Sequence, residues 1–293
     1  MSERPLISII IVNWNVRDLL QANLARLFAL QHAPLFEVIV VDNGSSDASV
    51  AMIKTAFKEV HLIRNETNRG FAFACNQGLR MAHGEMLLLL NPDMEVREGV
   101  LEHVVETLTQ EKDVGVMGVK LLHEDGTVVA SVRRDPKFID QLAILLKLPH
   151  LFPTIIDRYL AKDFDYTVSQ NVDQLRGSFF AFRRDVLEKV GPFDAENFFI
   201  WFEEVDFCKR VKAAGYRLWY SAQVVSTDLI GRSFRQRTVL WKQTQLGRSM
   251  AHYFKKWHPW WQAAIIYALR PFAMFSGWLV DVVKAKHESP TVS

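Results

Sequence analysis

The chain has 293 residues, 49% hydrophobic and 23% charged, with a net charge of +2 and two cysteines, Cys75 and Cys208. That length and apolar content exclude a disordered chain, and cysteines set among apolar neighbours without C-x-x-C spacing exclude a disulfide framework and a zinc site and fit a reducing cytoplasm. The charge is uneven: from Lys209 onward 14 Lys and Arg face three acids, a net of +11 that leaves −9 before it, so the carboxyl-terminal part is a basic module.

Short apolar runs alternate with helical patterns through the first half, the signature of βαβ units on a parallel sheet. Residues 6–12 are predicted as the first strand, too short to span a bilayer and without a cleavage-site pattern. A helix over 17–30, a strand over 36–41, a capped turn at 41–47 and a helix through Phe57 follow. A strand at 60–64, a glycine turn at 68–70, a helix over 71–82 and an unbroken apolar strand at 86–90 complete four strands and three crossovers. Beyond them the pattern predicts a helix at 97–109, strands at 114–122 and 128–132, and a hydrophobic insertion at 138–160 interrupted by Pro149 and Pro153. A strand at 177–183, a helix at 185–190 and an acidic segment at 198–208, entering a helix that ends near Gly215, come next.

The apolar run ends abruptly in Asn91-Pro92-Asp93. Such a run bounded by Pro reads as a strand buried on both faces, which places Asn91 and Asp93 at its carboxyl end, where open α/β sheets bind ligands. A short carboxylate fixed there suits a hard cation, Mg²⁺ or Mn²⁺, bridging a nucleotide diphosphate. Asp42, past the second strand, and Asn13-Trp14-Asn15, past the first, fall on the same rim. A carboxylate there can accept the imide N–H of uracil or thymine while Trp14 packs on base or ribose, although D-N-G-S-S-D is also an ordinary capped turn. Asn68-Arg69-Gly70 with Asn76 reads either as N–H groups and a cation facing phosphate or as a plain turn in which Gly70 supplies positive φ.

Glu203-Glu204-Val205-Asp206 opens a helix whose dipole favours each acid by roughly 0.3–1 kcal/mol. An ionised carboxylate aimed at an acceptor hydroxyl is a general base, and the aromatic run at residues 198–202 argues against a merely solvated cap. No glycine-rich phosphate loop follows the first strand, which argues against a dinucleotide-binding dehydrogenase and against a nucleotidyltransferase.

Taken in order over residues 5–233, the motifs SIIIVNWN, VIVVDNGSSD, NRGFAFACNQG, GEMLLLLNPD, the Gly177-Ser178 turn, VGPFDAENFFIWFEEVDFCKRVKAAGY and Gly231-Arg232-Ser233 resemble an inverting family 2 glycosyltransferase of the rhamnosyltransferase-like branch. The resemblance implies a GT-A fold, a Rossmann-like, mostly parallel α/β sheet flanked by helices, over residues 1–233, with a helical extension at 234–293. It implies metal-dependent transfer of a sugar, rhamnose from dTDP-rhamnose or another dTDP- or UDP-sugar, to a lipid-linked or polysaccharide acceptor in bacterial cell-surface glycan synthesis. In that pattern Asp42 reads the base, Asn91-Pro92-Asp93 stands for the family's D-x-D with Asp93 as ligand of Mg or Mn, and Glu204 is the catalytic base, with Asp206 the alternative. Substrate contacts fall to Asn13, Trp14, Asn15, Asn43, Arg69, Gly70, Asn76, Asn91, Gly177, Ser178, Trp201, Glu203 and Arg232. Where the family usually has a histidine five residues before the serine of its G-x-S element, this chain has Asp228, an oxygen ligand in a metal-binding place. A transferase-like protein that binds nucleotide sugars without turnover is the competing reading, and Asp228 is the residue that keeps it in play.

Residues 263–283 are apolar enough to suggest a spanning helix, but Arg270-Pro271 near the centre costs roughly 2.5–3.5 kcal/mol for the Arg alone and adds a kink or break. With Lys255, Lys256, Lys284 and Lys286 flanking and Trp and Phe interleaved, the expectation is two amphipathic helices on the inner leaflet of the cell membrane, with packing on the catalytic domain or a homodimer surface as the alternative and nucleic acid disfavoured. The protein is accordingly expected to be cytoplasmic and peripherally membrane-associated.

Overall fold

β-branched and leucine-rich runs that expose almost no side chain to water have to lie inside a sheet covered on both faces, and the first, second and fourth strands of the fold are such runs, the third being the edge. The computed structural model describes residues 4–229 and 236–288. Its first half runs β1 (Ile7–Asn13), α1 (Arg17–Ala29), β2 (Phe36–Asn43), α2 (Ser49–Ala56), β3 (His61–Asn65), α3 (Phe71–Met81) and β4 (Met86–Leu90). β1 pairs in parallel with β2 and β4, and β2 with β3, so the four carboxyl ends share one edge. All five residues of β4 are buried, as its composition demanded.

The second half closes the sheet. β5 (Met94–Glu95), α4 (Val100–Gln110) and β6 (Val114–Leu122) precede β7 (Val132–Arg133), α5 (Phe138–Leu145) and two 3-10 turns at Leu148–His150 and Pro153–Ile156. Then come β8 (Gln170–Val172), β9 (Gln174–Leu175), β10 (Phe179–Arg183), α6 (Arg184–Val190), α7 (Glu203–Ala213), β11 (Arg217–Asp228), α8 (Val239–Trp257) and α9 (Trp260–Glu288). The main sheet has the order β3-β2-β1-β4-β10-β6-β11-β5, with β8 on β11 and a separate β7-β9 pair. β10 runs antiparallel between β4 and β6. The structure departs from the sequence reading at the twelve-residue β11, where no strand was placed, and at residues 128–132, where only Val132 lies in a strand and Val128 forms an isolated bridge to Leu122.

One apolar cluster fills each face of the sheet, the first beneath α1, α2 and α4 and the second beneath α3, α6 and α7. A third lies off the sheet and joins Phe198, Phe202 and Val205 to Met250, Tyr253 and Phe254 of α8 and Ala263 and Ile266 of α9. The expected boundary at 233/234 falls outside the described residues, but the extension shares this core with the segment leading into α7. α9 also runs on through Pro271 as one helix of 29 residues, where a kink or break was expected. Proline removes one backbone hydrogen bond. Pro271 is exposed, and packing of Ala263, Ile266 and Ala273 carries the helix past it. Both cysteines are buried and free.

Candidate active site

A cleft of about 280 Å³ opens at the carboxyl edge of β1, β2 and β4. One wall comes from strand ends: Val12 and Trp14 after β1, Asn43 of β2, Asn68 before α3, and Asn91, Pro92 and Asp93 after β4. Asn91 is fixed by two backbone bonds, its N–H donating to the Ser178 carbonyl at 3.0 Å and its carbonyl accepting from Met94 at 3.2 Å. Asn23 Nδ2 of α1 adds a third at 3.1 Å on the Asn91 carbonyl. The opposite wall is the turn Arg176-Gly177-Ser178 with Phe199, Ile200, Trp201, Glu203 and Glu204.

Asp93 and Asp228 both line the cleft and are 5% and 6% exposed. β5 and β11 hold them together: Asp228 pairs with Met94, and the Asp93 carbonyl accepts the Leu229 N–H at 2.9 Å. Two rigid carboxylates match a hard divalent cation that completes its shell with diphosphate oxygens and water. Among the described residues no group of three or more His, Cys, Asp and Glu gathers to cage an ion from protein alone.

Glu203 and Glu204 begin α7, and the turn that presents them is strained: Trp201 and Phe202 both have positive φ, 62° and 68°, although neither is glycine. Gly70 (φ 92°) lets this turn approach, since a Cβ there would lie 2.6 Å from the Phe199 carbonyl, whose oxygen accepts the Phe71 N–H at 2.7 Å. Each glutamate keeps a buried Oε2 without a hydrogen-bond partner. Burial, and for Glu203 also the adjacent Glu204, pushes both carboxyls above the usual range, Glu203 far above it. Arg176 lies near enough to pull Glu204 back toward its ionised form. Two adjacent buried carboxyls do not ionise together cheaply, and the more exposed, Arg176-facing Glu204 is the one that gives up its proton.

Of the residues singled out from sequence, Trp14, Asn43, Asn91, Asp93, Gly177, Ser178, Trp201, Glu203, Glu204 and Asp228 meet in this cleft. Others stand behind its wall. Asp42 is fully buried and accepts from Asn13 Nδ2 at 2.9 Å and the Ser45 N–H at 3.0 Å. Asn15 braces the same turn by accepting from the Ser46 N–H at 2.8 Å. Asn76 clamps the Phe193 backbone from both sides, at 2.8 and 3.0 Å, and Arg69 lies exposed over the Phe73 ring at 3.6 Å. Asp206 is away from the cleft: it is 0% exposed and takes Arg210 Nε at 2.9 Å, Lys256 Nζ at 2.8 Å and Trp257 Nε1 at 2.8 Å, which corrects its candidacy as base. Arg232 is outside the described residues. Sequence reasoning missed Arg176, whose only cue was its place beside Gly177-Ser178, and Arg237 and Trp241. Arg237 lies 4.0 Å from the Trp14 ring and 4.9 Å from the Trp241 ring, so the extension closes one side of the cleft with a cation between two indoles.

The model of the family described as Glycosyl transferase family 2 matches residues 8–191. Among curated proteins, the chain is similar to an O-antigen biosynthesis protein of Myxococcus xanthus, 27% identical over 75% of this chain and 17% of that protein. It is also similar to a low-salt glycan biosynthesis hexosyltransferase of Haloferax volcanii, 26% identical over 70% of this chain and 61% of that one. An N-acetylglucosaminyl-diphospho-decaprenol L-rhamnosyltransferase of Mycobacterium tuberculosis is 24% identical over 89% of this chain and 88% of its own. The chain spans less than two thirds of the first two relatives. Among solved structures, a mannosyltransferase of Pyrobaculum calidifontis in complex with GDP-Man and Mn²⁺ shares the fold with a TM-score of 0.57 at 19% identity, covering 98% of this chain and 77% of that one. The structure of GalNAc-T7 with UDP, GalNAc and Mn²⁺ gives 0.56 at 15% identity, covering 78% and 44%.

Proposed function

The chain belongs to glycosyl transferase family 2, and on that premise we propose that its cleft transfers a sugar from a nucleotide diphosphate donor to an acceptor hydroxyl with inversion at the anomeric carbon. The donor is dTDP- or UDP-linked, rhamnose in dTDP-rhamnose first among them, and the acceptor is a lipid-linked or polysaccharide glycan met at the inner face of the cell membrane. The relative from Mycobacterium tuberculosis, named for rhamnosyl transfer to a decaprenol-linked sugar, supports that choice because it matches over nearly its whole length.

The observation that carries the reading is one half-buried carboxylate, Glu204, facing a pair of metal-suited carboxylates, Asp93 and Asp228, across one cleft. Asp93 and Asp228 would hold Mg²⁺ or Mn²⁺, which supplies charge neutralisation for the leaving diphosphate. Arg237 and Arg176 add positive charge on the cleft walls, and Trp14 offers a flat face to base or ribose. Glu204 takes the proton of the acceptor hydroxyl as that oxygen attacks the anomeric carbon opposite the leaving group. Its raised pKa makes it a stronger base than an exposed glutamate, and Arg176 keeps it ionised enough to act. The aromatic wall of Phe199 and Trp201 excludes water that would compete with the acceptor.

Calorimetric titration of dTDP, UDP and GDP with Mn²⁺ and then EDTA, beside a transfer assay, tests the reading. Expected is metal-dependent binding of dTDP or UDP, and for Glu204→Gln retained binding with transfer reduced by about 10²–10⁴-fold. Because the base must be deprotonated, wild-type activity should fall as pH drops through a midpoint above the usual carboxylate value of 4.5. Absence of binding to all three nucleotides, or full transfer by Glu204→Gln, would sink it.

A further inference from the structure

Helix α9 buries one side and leaves the other bare. Ala263, Ile266 and Ala273 are at most 3% exposed, whereas Trp260, Phe272 and Phe275 are 78%, 60% and 56% exposed. No exposed position from Trp260 to Val280 carries a charge. The stretch Trp260–Val282 is long and apolar enough to cross a membrane. Its inner side, however, belongs to the core that contains Phe198, Phe202 and Tyr253, so lipid can reach only the outer side.

A basic stripe borders that side. Arg248, His252 and Lys255 recur at i, i+4 and i+7 along α8 and so lie on one face. Arg270 of α9 joins them, its stem packed on Gly247, where an added Cβ would meet Arg270 Cγ at 3.1 Å. Its guanidinium sits 5.5 Å from the Tyr267 ring, and its Nε is buried without a hydrogen-bond partner among the described residues. The His252 ring lies 6.4 Å from Tyr267. Burial, then Arg248, Lys255 and Arg270, hold His252 below its ordinary pKa against the opposing pull of Asp194, which places all four bases in one neighbourhood.

We propose that this surface docks on a membrane containing anionic phospholipid, with the outer side of α9 in the headgroup–acyl boundary and Arg248, Lys255 and Arg270 taking a lipid phosphate. The inference rests on the reading that the chain works at a membrane on a lipid-linked acceptor, and it adds the lipid chemistry and the residues that meet it. Charge complementarity selects the occupant: an apolar strip edged by cations matches acyl chains beneath phosphates. A second copy would bring another module of net +11 against the first.

Co-sedimentation of the full chain with vesicles of phosphatidylcholine, alone or mixed with phosphatidylglycerol, tests this. Expected is stronger binding to the anionic vesicles. Arg248→Gln/Lys255→Gln, both exposed, should lower that partition by about 25-fold, from roughly 1 kcal/mol or fivefold per basic residue. Arg270→Gln should lower it by about fivefold, while Phe272→Ser/Phe275→Ser weakens binding to both vesicles; dTDP titration of each variant reports that its fold is intact. Equal binding of wild type and the Arg248/Lys255 variant to anionic vesicles overturns the headgroup site while leaving the membrane reading standing. Wild-type binding to neither vesicle overturns both, and a dimer that Phe272→Ser/Phe275→Ser dissociates assigns the face to a second copy.

Discussion

Glu203 and Glu204 are neighbours in sequence with different chemistry, because both line the cleft but Glu203 is buried whereas Glu204 is half-buried. Glu203 is 5% exposed, and burial with the adjacent Glu204 raises its pKa far above the unfolded value of 4.5. Between 4.5 and that raised value the folded chain holds a proton that the unfolded chain has lost, so stability falls as pH rises through this window. Glu203→Gln keeps the shape without the titration. Urea unfolding at several values from about pH 5 to pH 8 should therefore show the variant gaining on the wild type as pH rises; a gap that stays constant or narrows would refute the assignment. That Asp93 and Glu204 would share the rim of the sheet was legible from sequence, since Asp93 follows an apolar run and Glu204 opens a helix, and both line the cleft. Arg176 and Arg237 were not legible, because only the tertiary fold brings the turn before β10 and the start of the extension to the same rim. Asp42 shows the opposite case, a rim position that is fully buried, with its oxygens accepting from Asn13 at the end of β1 and from Ser45 in its own turn.

At the scale of elements, the helix that opens with Glu203 and Glu204 is held from behind. Trp201 and Phe202 at positive φ cost about 1–3 kcal/mol each, and such strain persists only where the surroundings over-determine it. α8 supplies that support: Ser249 Oγ donates to the Ile200 carbonyl at 2.8 Å, Tyr253 packs 5.3 Å from the Phe202 ring, and Lys256 and Trp257 grip Asp206, two residues past Glu204. Lys256→Met/Trp257→Phe leaves Asp206 with Arg210 alone and loosens the start of α7 without touching the donor wall. A displacement of about 1 Å costs up to about 10²-fold in rate. Expected is a 10- to 100-fold loss in kcat with unchanged KM for the donor, and partial recovery in Lys256→Arg/Trp257→Phe; a rise in donor KM with kcat intact would show that α8 serves binding instead. The parallel strands and crossovers were legible because each apolar run was continuous and bounded. β11 was not, because its half-buried residues and its register shift beside β6 break any simple alternation.

For the whole molecule, the sequence suggests a catalytic part followed by a basic, aromatic-rich extension, because 14 Lys and Arg face three acids from Lys209 onward. The packing argues for one cooperative unit. Phe198, Phe202 and Val205, at 0%, 4% and 6% exposed, owe that burial to Met250, Tyr253 and Phe254 of α8. Each such side chain contributes about 1.5–3 kcal/mol, so uncovering three of them removes an amount comparable to the 5–15 kcal/mol of a typical domain. Deleting residues 237–293 also strips Arg237 and Trp241 from the cleft. The full chain is therefore expected to unfold in one transition followed alike by fluorescence and circular dichroism, and a fragment ending at residue 236 to lose dTDP binding and cooperative melting. A soluble fragment of that length that melts cooperatively and binds dTDP as the full chain does would show that the helices are an appendage, and the strained turn before Glu204 would then need another source of support.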